Sequence, residues 1–367
     1  MITPKEHFHG SDLEKIEAVY GIKKEDITSF SANVNPLGIS PKLRTSLTEQ
    51  IDAITGYPDR EYTSLRSSIA NYIKADKKHV LVGNGSTELI SILVQLTAPK
   101  KAMIISPTYS EYEREISLAG GSCSYYALTE SSLFQLDTKA FLKELTEEFD
   151  LLVICNPNNP TSSYISSQDL DKIFTICETK GILCMVDETY VEFAEDMEMI
   201  TAIPLIEKHK NVVVLRGISK FFAAPGLRLG YAVCSDENLI HAVNARKNPW
   251  TINTLAAIAG EIMFSDTEYI MATKELMRTE RNRICKQLSD CSNVKVYPPA
   301  ANFVLVKILK EGITAANLFD AAIRKGLMIR DCSTFPGLDD TYFRFCFMSP
   351  EKNTELLELL FEFIREL

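Results

Sequence analysis

The apolar positions of this 367-residue chain gather into short unbroken runs in its middle and into wider, helical spacings towards its end. The runs are HVLVG from His79, AMIIS from Ala102, DLLVIC from Asp150, ILCMVDE from Ile182, NVVVLR from Asn211 and LGYAV from Leu229. A continuous apolar run bounded by turn residues predicts a strand covered on both faces. Between the runs lie helix-length segments, among them STELISILVQLT, with Leu and Ile at helical spacing, and YSEYEREISLAGG, closed by glycines. Alternating strands and helices predict an α/β fold with a mostly parallel, helix-covered sheet.

After Trp250 the pattern changes. Asn253 to Leu288 predicts one or two helices. ANFVLVKIL, a helix near Ala315–Arg324, GLMIRDC, YFRFCF and a last helix opened by SPEKN at Ser349 then predict a second, smaller α+β unit. The length exceeds what one core usually serves, which also points to two domains. With no repeat and no Pro/Ser-rich linker, the expected division is an N-terminal arm over 1–30, a large domain over 31–260 and a small domain over 261–367.

Ligands of open α/β sheets bind beyond the carboxyl ends of the strands. Five successive runs end in residues that a core does not need: GNGSTE, SPTYSEY, NPNNPT, DETY and RGISK. Each alone has an ordinary explanation as a turn, a helix cap or a surface lysine. Together at one sheet edge they predict a site. Lys220 is a candidate nucleophilic amine, since a desolvated lysine attacks carbonyls. Asp187 at the end of ILCMV is expected to be buried and in need of a protonated partner, such as a pyridinium nitrogen. The GNGSTE turn, with Ser86 and Thr87 at a helix start, suits a phosphate held on backbone amides. Ser219 and Arg228 offer further donors to it, and Tyr109 offers a ring face.

Composition narrows the partners. The chain is 46% hydrophobic and 24% charged, with a net charge of -10. An acidic balance argues against nucleic acid, while leaving room for a small anion in a local basic pocket. The apolar runs are too short to span a bilayer, and the polar start MITPKEHFHGSDLEKIEAVYG has no secretory core, so no membrane partner is expected. Nine scattered cysteines form no C-x-x-C pair and no zinc-like cluster. The expectation is a metal-free protein of a reducing, cytoplasmic compartment. A nucleotide-binding dehydrogenase is excluded by the missing third glycine after HVLVG.

NPNNPT, VDETY, SKFFAAPGLRLGY and the late arginines resemble the histidinol-phosphate aminotransferase and threonine-phosphate decarboxylase group of fold-type-I pyridoxal-phosphate enzymes. HGSDLEKIEAVYG, FSANVNPLG, NPWTIN and IRDCSTFPGLDDTYFR are more similar to the decarboxylase branch, which serves cobalamin biosynthesis. The resemblance implies roles. Lys220 would carry the cofactor as a Schiff base and Asp187 would hold its pyridinium proton. Asn159 and Tyr190 would bond the ring oxygen, and Tyr109 would stack on the ring. Ser86, Thr87, Ser219 and Arg228 would hold the cofactor phosphate, joined by Tyr57 from the other subunit of a homodimer. Arg344 would bind a substrate carboxylate and Arg330 a substrate phosphate, with Asn33 and His9 closing over them. The implied activity is decarboxylation of O-phospho-L-threonine or O-phospho-L-serine; the alternative is amino transfer from a small phosphorylated or phosphonate amine such as histidinol phosphate. A non-catalytic cofactor-binding protein is the reading from another class. One departure stands out: Ser162 replaces the glycine of NPNNPTG, and is expected to shift that loop and with it the substrate fit.

Overall fold

The computed structural model describes residues 8, 10 and 12–366. Helices α1 (Leu13–Tyr20), α2 (Pro41–Glu49) and α3 (Thr63–Ile73) and a short strand β1 (Thr28–Ser29) precede the main sheet. Then follow β2 (Val80–Gly83), α4 (Ser86–Thr97), β3 (Lys101–Ser106), α5 (Glu111–Leu118), β4 (Ser122–Ala127) and α6 (Thr138–Glu144). The chain continues through β5 (Leu151–Cys155), α7 (Ser167–Thr179), β6 (Leu183–Asp187), β7 (Val212–Gly217), β8 (Gly230–Val233) and α8 (Glu237–Arg246).

These strands form a seven-stranded sheet in the order β2-β8-β7-β6-β5-β3-β4. All neighbours are parallel except those of β8, which runs antiparallel to both β7 and β2. The apolar runs are therefore buried strands, as their lack of alternation predicts. Successive residues point to opposite faces. Leu152, Ile154, Val186 and Val214 join one core layer, and Leu151, Val153, Met185 and Val213 join the other, with Leu93, Tyr112 and Ile116 from α4 and α5. Two features escape the pattern of runs. LGYAV is reversed relative to its neighbours, a choice its composition does not encode. The edge strand SCSYYA is half-exposed and mixes polar with aromatic residues, so it gives no apolar run.

Two helices, α9 (Thr254–Met263) and α10 (Thr267–Ser289), carry the chain onward. Asp266 caps the second by accepting from the Tyr269 N–H at 3.3 Å. Beyond them come β9 (Val294–Val296), β10 (Phe303–Ile308), α11 (Ala315–Ile323), β11 (Leu327–Met328), β12 (Arg330–Asp331), β13 (Tyr342–Cys346) and α12 (Pro350–Glu366). A four-stranded antiparallel sheet has the order β12-β13-β10-β9. The early strand β1 pairs with β11 across almost the whole sequence, which brings residues 30–35 alongside the late arginines. All nine cysteines are free thiols. No helix among the described residues is long and apolar enough to cross a membrane.

Candidate active site

The strand directions gather the five polar segments at one edge. Strands β2, β3, β5, β6 and β7 all point their carboxyl ends there. Reversal of β8 adds the residues that precede it, so Arg228 arrives at the same edge from the opposite direction. A cavity of about 510 Å³ opens above this edge. Among its lining residues are seven that the sequence singled out: Asn33, Tyr109, Asn159, Tyr190, Lys220, Arg330 and Arg344.

Asparagines build the loop that presents Asn159. Asn156 donates to the carbonyls of Ile165 (3.0 Å) and Ile200 (2.8 Å) and accepts from the Ile165 N–H (2.8 Å). Asn158 donates to the Pro107 carbonyl at 2.7 Å. Satisfying buried backbone groups in this way lets an irregular loop sit inside the protein. Ser162 takes φ +58°, the left-handed conformation that explains a glycine at this position, and its hydroxyl accepts from the Ala301 N–H at 2.9 Å. The serine thus ties the loop to the chain entering β10. Asn159 Oδ1 accepts from Arg344, which also donates to the Ser31 carbonyl at 2.9 Å. Asn33 donates to the Tyr190 hydroxyl at 3.3 Å.

The half-buried Lys220 donates from Nζ to the Ala32 carbonyl at 2.7 Å. Burial first, then the guanidinium of Arg344 and more weakly that of Arg228, push its amine down to about 8. Arg330 and Arg344 face each other in register across β12 and β13, both buried. Arg330 donates to the Phe8 carbonyl and, at 3.1 Å, to Thr334 Oγ1. Burial and then Arg344 lower its affinity for a proton. Lys220, Arg330 and Arg344 thus crowd together at the cavity wall and make a receptor for anions, despite the acidic balance of the chain.

Asp187 lies in a shell of neutral donors. It is buried, but it is well partnered: Oδ1 accepts from Thr189 N (2.9 Å) and Thr189 Oγ1 (2.5 Å), and Oδ2 accepts from Tyr112 (2.6 Å). Tyr112 and Thr189 stand in the SPTYSEY and DETY segments, but nothing in the sequence gives them a role beside Tyr109 and Asp187. The RGISK segment also divides differently. Arg216 lies within β7, fully buried, and donates from Nε and Nη2 to Glu188 at 2.9 and 2.7 Å. Arg216 and Glu188 thus brace neighbouring strands beneath the site rather than lining it.

Ser86, Thr87, Ser219 and Arg228 are not among the residues lining the cavity. Ser86 and Thr87 open α4, whose N-cap is Gly85 with no side-chain cap. Gly85 has φ +78°, and a Cβ there would stand 2.3 Å from the Arg228 guanidinium. A Cβ on Gly230 would meet the Ser86 amide at 2.2 Å. These glycines let Arg228 and uncapped helix amides converge, a cradle suited to phosphate. Arg228 itself is exposed rather than buried, and Ser219 is half-buried. Tyr57 is 84% exposed, stacks on Trp250 at 4.8 Å and lies outside the cavity lining. His9 lies outside the described residues.

The model for the aminotransferase class I and II family matches residues 25–360. The chain belongs to this family. It is a pyridoxal-phosphate-dependent enzyme. It is 34% identical over 352 residues to the threonine-phosphate decarboxylase of Salmonella typhimurium, covering 96% of this chain and 95% of that one. Similarity extends to the crystal structure of the histidinol-phosphate aminotransferase from Clostridium acetobutylicum, with a TM-score of 0.85 and 31% identity over 92% of this chain and 99% of that one. The fold is also shared with the histidinol-phosphate aminotransferase of Sinorhizobium meliloti, solved with pyridoxal-5'-phosphate, at a TM-score of 0.85 and 20% identity over 99% and 96% of the two chains.

The residues present fit that cofactor. Ser31 Oγ, Asn33 Oδ1, Thr108 Oγ1 and Arg344 Nε line the cavity region as buried polar atoms without a hydrogen-bond partner. Buried polar atoms are normally satisfied, so such a group at a cleft marks a place for ligand.

Proposed function

We propose that this enzyme decarboxylates a phosphorylated amino acid of the O-phospho-L-threonine or O-phospho-L-serine type. The observation that carries this reading is the pairing of Arg330 with Arg344 directly across β12 and β13 at the cavity wall. Like charges opposite each other in a sheet destabilise it. Their cost is offset when a substrate brings two anionic groups a few ångströms apart. A phosphorylated amino acid has a carboxylate and a phosphate so placed on one molecule; histidinol phosphate has only the phosphate, and the 2-oxoglutarate that would accept its amine has two carboxylates and no phosphate.

Pyridoxal phosphate, when bound, supplies a ring that accepts the electron pair left at the substrate Cα. Asp187 would hold the proton on the ring nitrogen, and Tyr190 and the amide of Asn159 would meet the ring oxygen. Tyr109 would cover the ring face. Ser86, Thr87, Ser219, Arg228 and the α4 amides would hold the cofactor phosphate. Arg344 would bind the substrate carboxylate and Arg330 its phosphate, with Asn33 and His9 closing the cavity. One bond at Cα would have to be presented to the cofactor for its chemistry. By anchoring both anionic ends, the two arginines turn the carboxylate into that position. Lys220, with an amine near 8, then returns a proton to Cα.

The reading extends to assembly. Tyr57, exposed in this chain, would serve the site of a neighbouring protomer, so the working form is a homodimer with shared sites. Residues 31–260 would form the large cofactor-binding domain and 261–367 the small one. The compartment would be the cytoplasm and the pathway one resembling cobalamin biosynthesis.

Incubation of holoenzyme with O-phospho-L-threonine tests the reading. Release of carbon dioxide with the phosphorylated amino alcohol as co-product is expected. Amino transfer from histidinol phosphate to 2-oxoglutarate, with no gas from either phosphoamino acid, would overturn it in favour of the aminotransferase alternative.

A further inference from the structure

Beneath the cavity, Tyr112 joins two residues to which the functional reading gives separate tasks. Its hydroxyl donates to Asp187 Oδ2 at 2.6 Å. Its ring meets that of Tyr109 edge to face, with centroids 5.6 Å apart and planes at 84°. Tyr112 is fully buried on α5, one turn after Tyr109. Burial, reinforced by the neighbouring Asp187 charge, keeps its phenol protonated far above the ordinary range. It is therefore a permanent donor.

We infer that Tyr112 is a positioning residue for the cofactor ring, fixing the rotation of the Asp187 carboxylate and the tilt of Tyr109. The inference rests on the reading of Asp187 as partner of the ring nitrogen. A carboxylate oxygen accepts about two hydrogen bonds. Thr189 supplies two donors to Oδ1, so that oxygen is filled. Tyr112 supplies one to Oδ2, which leaves Oδ2 a single acceptor site. The ring nitrogen would be directed to that one position. Cys155 lies close by, and burial pushes its thiol up to about 12, so it adds no competing charge. The donors around Asp187 are all neutral. They orient the carboxylate without neutralising its charge, which leaves that charge for a protonated ring nitrogen.

Replacing Tyr112 with Phe keeps the ring and removes the donor. Asp187 Oδ2 then loses the donor that fixes its orientation and no longer meets the ring nitrogen squarely. The ring nitrogen then carries less positive charge, and the nitrogen bonded through Lys220 becomes more basic. Two readouts follow on the loaded and unloaded Y112F protein. Its dissociation constant for pyridoxal phosphate should rise roughly tenfold, because Asp187 is no longer held at the position that meets the ring nitrogen. The pH midpoint of the visible absorbance of bound cofactor should move upward by roughly half a unit or more. Thr189→Val, which removes one donor from Oδ1, should move the midpoint in the same direction. The thermal midpoint of the apoprotein serves as a measure of packing alone. A Y112F protein whose cofactor affinity and absorbance midpoint match wild type would overturn the inference, whatever its thermal midpoint. If wild type binds the cofactor but D187N leaves the midpoint unmoved, the reading of Asp187 fails as well.

Discussion

The amine of Lys220 offers the sharpest quantitative test of the site. An ordinary lysine near 10.5 is neutral in about one part in 3,000 at pH 7, whereas an amine at about 8 is neutral in roughly one part in 10. Capture of a carbonyl needs the neutral form. The apoenzyme should therefore take up pyridoxal phosphate about 300-fold faster at pH 7 than an unperturbed lysine in the same place. Its rate should rise about tenfold up to pH 9 and then flatten. Burial is the leading cause and the Arg344 guanidinium the next, so Arg344→Gln tests the electrostatic part separately. Stopped-flow absorbance of apoenzyme mixed with cofactor, across pH 6 to 10, reads the midpoint directly. The variant should show an upward-shifted midpoint and slower capture at pH 7. A wild-type rate still climbing at pH 10, or an R344Q midpoint equal to that of wild type, would refute the reasoning.

Three further outcomes follow from the surroundings of the site. Burial pushes the Glu192 carboxyl up to about 7, although Arg216 stands 4.0 Å away. The folded chain holds that proton more tightly than the unfolded one, so stability is fullest below about pH 4.5 and falls as pH rises through about 7. The loss approaches about 3 kcal/mol, and Glu192→Gln should abolish this part of the slope in urea titrations of the apoprotein. Glu130 accepts from Lys295, Lys307, Tyr297 and Tyr342 at 2.7–3.0 Å, tying the segment after β4 to the small sheet. These donors hold its carboxyl down to about 2, so their contribution is present above pH 4.5 and drains as pH falls towards 2. Glu130→Gln should cost about 1–3 kcal/mol at neutral pH, measured by urea unfolding, and nothing at the acid limit. Ser162→Ala strands the buried Ala301 amide and should cost about 1–3 kcal/mol, while Ser162→Gly, relieved of its left-handed side chain, should cost less.

The main sheet was legible because each buried strand is a run of apolar residues with a polar stop, and those stops converge wherever strands run parallel. Lys220, Asn159 and Tyr109 were readable for that reason. The direction of LGYAV was not, since an antiparallel strand buried on both faces has the same composition as a parallel one. That hidden reversal is what delivers Arg228. Glu188 and Arg216 looked like site residues at strand ends, yet they satisfy each other between β6 and β7; a charge next to a functional residue does not say which neighbour it serves. Tyr112 went unread because its role is set by a 2.6 Å contact with Asp187 across elements that sequence spacing does not relate, and Thr189 because a threonine two residues after an aspartate is an ordinary turn residue.

The account stands most directly on Lys220 as the cofactor's anchor. Holoenzyme reduced with borohydride and digested should yield one peptide bearing the cofactor mass, with the modification on Lys220, and K220A should yield none. A modified peptide centred on another lysine, or undiminished labelling of K220A, would contradict it.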